Sequence, residues 1–90
     1  MRPDIRQTIY LVFKEAITNA LKHTQGDHIN IILELNGKGF YLMIKDNGKV
    51  NPDSIKKSGL GLFNMKSRAE KVGAEFSYDY HDGFKIELRG

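Results

Sequence analysis

The stretch from Pro3 to Thr24 places the strongest constraint on how this chain folds. Its apolar residues Ile5, Ile9, Val12, Phe13, Ala16, Ile17, Ala20 and Leu21 recur at helical spacing over about five turns. Asp4 stands where the dipole of a helix start favours an anion, and Gly26 follows the last apolar position as a stop. An amphipathic helix of this kind needs an apolar surface to cover. The next residues supply one: Ile29 to Leu35 and Phe40 to Ile44 flank Asn36-Gly37-Lys38-Gly39, and an Asn-Gly step between two apolar runs predicts a β-hairpin.

The pattern then repeats. Asp46 to Ser58 is polar, contains Pro52 and reads as a loop. Helical spacing returns from Leu60 to Val72 through Leu62, Met65, Ala69 and Val72, and Gly73 closes it. Phe76, Tyr78 and Tyr80 alternate, the chain turns at Asp82-Gly83, and Phe84, Ile86 and Leu88 alternate back. The order helix, hairpin, helix, hairpin predicts an α+β fold, a two-layer α/β sandwich with both helices on one face of a mainly antiparallel sheet. Ninety residues fit one domain, taken here as residues 1–90. A chain that opens directly in a helix and ends in a strand reads as trimmed at its N-terminus.

Composition excludes several classes of function. No cysteine is present, so there is no disulfide scaffold, thiol nucleophile or thiolate metal site. No apolar run approaches the length of a membrane span, and the first residues lack a secretory pattern, so cytoplasm is the expected compartment and no direct membrane contact is expected. The 14 Lys and Arg against 11 Asp and Glu leave a formal charge of +3. That mild excess suits a solvated surface or an anionic small ligand, and no nucleic-acid partner is expected. The strand aromatics Phe40, Tyr41, Tyr78 and Tyr80 fit sheet packing better than a base-stacking platform.

Three polar features could carry chemistry. On the first helix, Glu15, Asn19 and Lys22 fall within a stripe roughly 60° wide along one edge of the apolar face. Asn19 offers a carbonyl oxygen of the hardness Mg²⁺ prefers, Lys22 a point charge for a phosphate, and Glu15 a carboxylate to orient or deprotonate a hydroxyl or water. The same residues also suit a solubilising polar edge. Asp46-Asn47-Gly48 ends a strand: its carboxylate can accept from an exocyclic amine, and Gly48 lets a planar ring approach. These are also favoured turn residues. Ser58-Gly59-Leu60-Gly61-Leu62 opens the second helix, where backbone N–H groups and the helix dipole suit a phosphate, or where a flexible loop simply enters a helix.

Together, in this order and spacing, the three resemble the ATP-binding domain of bacterial sensor histidine kinases, within the Bergerat-fold family that includes gyrase and the Hsp90 chaperones. The segment from Glu15 through Asn19, Ala20, Leu21, Lys22 and His23 is similar to the family's N box. Asp46-Asn47-Gly48 is similar to its first glycine box, and Gly59 to Met65 with Lys66-Ser67-Arg68 to its second. The resemblance spans residues 8–88. It implies Mg-ATP as ligand, with Asn19 holding Mg²⁺, Lys22 near the phosphates, His23 following it as an ATP-binding position, Asp46 at the adenine amino group and Gly48 beside the ring. Gly59, Leu60, Gly61 and Leu62 match the segment at the phosphates, and Glu15 the general base of the ATPase relatives.

Two departures stand out. Val50 occupies the place of the first box's second glycine, and the interval from Lys49 to Ser58 leaves room only for a short lid. Both are similar to the short-lid kinases paired with helix-turn-helix response regulators. The implied reaction is transfer of the γ-phosphoryl group to a histidine on a separate dimerisation and phosphoacceptor domain, with a response regulator as indirect partner. His23, His28 and His81 read as structural or surface groups, and none lies in a dimerisation-helix sequence. The alternatives are an anti-sigma-factor serine kinase or another ATPase of the family and, in another class, a non-enzymatic interaction module.

Overall fold

The computed structural model of the chain describes residues 2–23, 26–37, 39–49, 61–81 and 83–90. The first helix, α1 (Pro3–His23), runs 21 residues. Its buried stripe is Thr8, Val12, Ala16, Asn19 and Ala20, with Ile5, Ile9, Phe13 and Ile17 packed along the sides. Two alanines at the centre of the stripe let the helix axis approach the sheet closely. Leu21 departs from the expected apolar face and is 75% exposed. It follows Val12 by nine positions, which carries it about 180° round the helix, away from the sheet.

The first hairpin forms as expected, from β1 (Ile29–Asn36) and β2 (Gly39–Asp46), with Gly37 in the left-handed region at φ 59°. The second helix, α2 (Leu62–Lys71), buries Leu62, Met65 and Ala69. It ends where Val72, Gly73 and Ala74 donate back to the carbonyls of Ala69 and Glu70, with Gly73 at φ 75°. The second hairpin consists of β3 (Glu75–Asp79) and β4 (Phe84–Arg89). The predicted loop lies outside the described residues beyond Lys49.

The strands form one antiparallel sheet in the order β1-β2-β4-β3. The two hairpins therefore join through their second strands, with Leu42 opposite Leu88 and Ile44 opposite Ile86. Period-2 alternation turns Phe40, Leu42, Ile44 and Asp46 of β2 inward, together with Phe84, Ile86 and Leu88 of β4. Helix α1 lies over β2 and β4, and α2 over β3. The core sits between these two layers. Strand β1 stands at the sheet edge with every residue exposed. None of the described helices is long and apolar enough to cross a membrane.

Candidate functional site

The register of β2 determines where Asp46 goes. It continues the inward phase of Leu42 and Ile44, so its carboxylate enters the core side of the sheet and is only 4% exposed. Among the described residues it is the one charged side chain that is buried. Burying a carboxylate is costly unless hydrogen bonds compensate it, and Oδ1 accepts the Gly48 N–H at 2.8 Å. Gly48 is itself buried. The β3–β4 turn packs on the other side: Gly83, at φ 79°, has no room for a side chain because a Cβ would run into the Asp46 carbonyl oxygen.

On α1 the sequence places Asn19 at the border between core and solvent. The helix rotation puts it within the buried stripe instead, 2% exposed. Glu15, one turn earlier, is half-buried at a crevice of about 210 Å³ between the two helices, which Lys14, Asn64 and Arg68 help to line. Lys22 is exposed, and His23 is the last residue of α1.

Gly61 caps α2 in the left-handed region, φ 71° and ψ 10°, with no side chain capping the helix start. A Cβ at this glycine would meet the Glu15 carboxylate, so the α2 start and the Glu15 turn of α1 are in direct apposition. No acidic residue stands in the first turn of α2. The first backbone N–H groups and the positive end of the dipole therefore meet no local carboxylate from α2 itself. Leu62 is a core residue that anchors this start. Gly59 and Leu60 lie outside the described residues.

One participant was not singled out from the sequence. Asn47 reads there as ordinary turn chemistry, yet its Oδ1 accepts the backbone N–H groups of Asp27 (2.9 Å) and His28 (3.1 Å). Its Nδ2 donates to Asp27 Oδ1 at 2.8 Å, and its own N–H donates to the His28 carbonyl at 3.2 Å. The Asn47 amide, and then His28 beside it, hold the Asp27 carboxyl below the usual range. The only advance signal was an asparagine between two residues already suspected, since its partners stand twenty positions away in the chain. His28 and His81 are exposed, in line with surface roles.

Comparison with known proteins identifies the family and the fold. The family model of histidine kinase-, DNA gyrase B-, and HSP90-like ATPases matches residues 4–89. The sensor histidine kinase YxjM of Bacillus subtilis (strain 168) is 35% identical over 88 residues, covering 96% of this chain and 21% of that protein. The oxygen sensor histidine kinase NreB of Staphylococcus carnosus (strain TM300) is 37% identical over 78 residues, covering 84% of this chain and 22% of the relative. The histidine kinase AdeS of Acinetobacter baumannii shares the fold at a TM-score of 0.73 and 21% identity, over 93% of this chain and 45% of that one.

Helices on one face of an antiparallel sheet are the fold shared with that kinase, and the family model over residues 4–89 is what makes the chain an ATP-binding module. The chain belongs to the family of histidine kinase-, gyrase B- and HSP90-like ATPases, as an ATP-binding domain of the kind found in sensor histidine kinases. It spans about a fifth of the length of the two kinase relatives, at 21% and 22%.

Proposed function

We propose that this chain is the catalytic part of a sensor histidine kinase and holds Mg-ATP between α1, the end of β2 and the start of α2. The observation that carries the reading is the pair of buried polar side chains, the Asp46 carboxylate at the end of β2 and the Asn19 amide on α1, the helix that also meets the uncapped start of α2 through Glu15. Asp46 accepts a hydrogen bond from the adenine amino group and opposes a carbonyl at the same ring position, as in guanine. Gly48 leaves the ring room to lie against the backbone. The phosphates run toward Gly61, where the N–H groups of α2 and its dipole meet negative charge. Lys22, at the C-terminal end of the same helix as Asn19, contributes a mobile positive charge nearby.

The donor set suits Mg²⁺. No group of three His, Cys, Asp or Glu side chains gathers among the described residues. In this reading Asn19 offers Mg²⁺ a hard oxygen, and the ion habitually takes its remaining ligands from substrate phosphates and water. A bound Mg²⁺ would neutralise phosphate charge as the γ-phosphoryl group leaves. In the transfer, a histidine nitrogen on a separate helical domain bonds to the γ-phosphorus, the bond to the β–γ bridging oxygen breaks, ADP departs and the imidazole loses its proton. This chemistry depends mostly on positioning and charge neutralisation, which matches a site built from backbone, one amide and one carboxylate. Glu15 serves to orient the phosphate-binding turn through its contact with Gly61, or to accept that proton. ATP is an intracellular metabolite, so the domain works in the cytoplasm.

Calorimetric titration with a non-hydrolysable ATP analogue, with and without Mg²⁺ and with GTP as competitor, tests the reading. Binding strengthened by Mg²⁺ and indifferent to GTP is expected. Asn19→Ala should remove the Mg²⁺-dependent part and Asp46→Ala the preference for ATP over GTP. A folded chain that binds neither nucleotide, or variants that bind like the wild type, refute it.

A further inference from the structure

We infer that Asn47 is a positioning residue that sets nucleotide selectivity by clamping the Asp46–Gly48 turn to the loop at Asp27 and His28 that enters β1. The inference rests on the nucleotide site proposed above. Asn47 bonds that loop in two ways at once. Its main-chain N–H continues the β1–β2 ladder one step past the Ile29–Asp46 pair, donating to His28. Its side chain then replaces the next rung: one oxygen takes two successive N–H groups, from Asp27 and His28, while the amide nitrogen donates to Asp27 Oδ1. Residue 47 is thus held on both sides of its backbone, and Asp46 and Gly48, bonded to it covalently, are held with it.

A second observation points the same way. Gly26 packs so closely on this turn that a Cβ would stand 2.5 Å from Asn47 Oδ1 and 2.5 Å from the Gly48 nitrogen. Gly26 therefore forms an outer wall of the Asp46–Gly48 turn. Asp46 and Gly48 also share their own hydrogen bond of 2.8 Å, so a shift at residue 47 moves both the carboxylate and the glycine. Discrimination between an amino group and a carbonyl on a purine needs a carboxylate that does not move aside, because a mobile one turns away from the wrong base. Asn47 supplies that immobility without touching the nucleotide.

The test exchanges the two partners. Asn47→Asp keeps the acceptor for the two backbone N–H groups but replaces the donor to Asp27 with a second carboxylate oxygen. Affinity for the ATP analogue should fall about tenfold and the preference over GTP should shrink with it. Adding Asp27→Asn restores a donor–acceptor pair in the reverse direction, so the double variant should regain both affinity and preference. A purely structural role would instead follow the thermal unfolding midpoint and leave the ATP-to-GTP ratio untouched. Amide exchange on the wild-type chain is a readout that needs no variant: the Asp27 and His28 N–H groups should exchange at least about tenfold more slowly with the ATP analogue bound. A wild-type chain that binds ATP, with Asn47→Asp unchanged in affinity and preference, overturns this assignment alone, as does a double variant no better than the single one. Unaltered exchange at both amides overturns it as well. A wild-type chain that binds no ATP overturns the site it rests on, and the assignment with it.

Discussion

Replacing Gly61 with alanine places a methyl group in a position the fold does not allow. At φ 71° the backbone is in the left-handed region, which costs an L-residue about 1–2 kcal/mol. The added Cβ would also lie 2.7 Å from Glu15 Cδ and 2.8 Å from Cγ, well inside contact distance. Glu15 is half-buried and must leave its preferred rotamer, at about 0.5–1.5 kcal/mol. The two effects together predict a loss of about 1.5–3.5 kcal/mol, a large share of the roughly 5–10 kcal/mol expected for a domain of this size. In a Glu15→Ala background the steric part disappears and only the backbone part remains. Urea unfolding of the wild type, both single variants and the double variant should therefore give a coupling energy of about 0.5–1.5 kcal/mol, the range for residues in contact. On the proposed site, in which the phosphates and not the adenosine lie at the start of α2, Gly61→Ala should also weaken the ATP analogue more than adenosine. Additive losses, with coupling below about 0.3 kcal/mol, would show that α1 and α2 do not meet through this pair.

The sheet offers a sharp internal contrast. Leu33 and Leu42 are register partners on the same face, yet Leu33 is 51% exposed and Leu42 only 1%. Leu42→Ala should cost about 2–5 kcal/mol in chemical unfolding and Leu33→Ala well under about 1.5 kcal/mol; equal losses would mean that β1 is covered. On the outer face the Tyr41 hydroxyl donates to Glu87 at 2.7 Å and, with Lys85 and Arg89 adding positive charge, holds the Glu87 carboxyl below its usual range. A depressed carboxylate stabilises the fold above its unfolded pKa, and that stabilisation is lost as pH falls through the lower folded value. Tyr41→Phe should therefore be destabilising at neutral pH, with the difference fading as acid carries the pH below the range where an unfolded glutamate titrates and through the lowered folded value of Glu87. A difference that stays constant down to pH 2 would count against it.

Much of this protein is legible in one dimension. The i, i+3, i+4 recurrence in α1 and α2, the alternation of Phe40, Leu42, Ile44 and of Phe84, Ile86, Leu88, and the glycines at 37, 73 and 83 all act through local dihedral angles and nearest neighbours. The elements and their ends follow from them. The spacing of Glu15, Asn19, Asp46 and Gly61 was likewise enough to point to an ATPase family, because the local sequence around each of these residues carries its own constraint. Tertiary packing decided the rest. Nothing local states that the hairpins join through β2 and β4, or that β1 stays at an uncovered edge despite its isoleucines and leucines. Nor does any local rule turn Asn19 from a border residue into a buried one, or send Asn47 across to Asp27 and His28. Those outcomes depend on which apolar faces find each other across distant segments of chain, and a periodicity records only that a face exists.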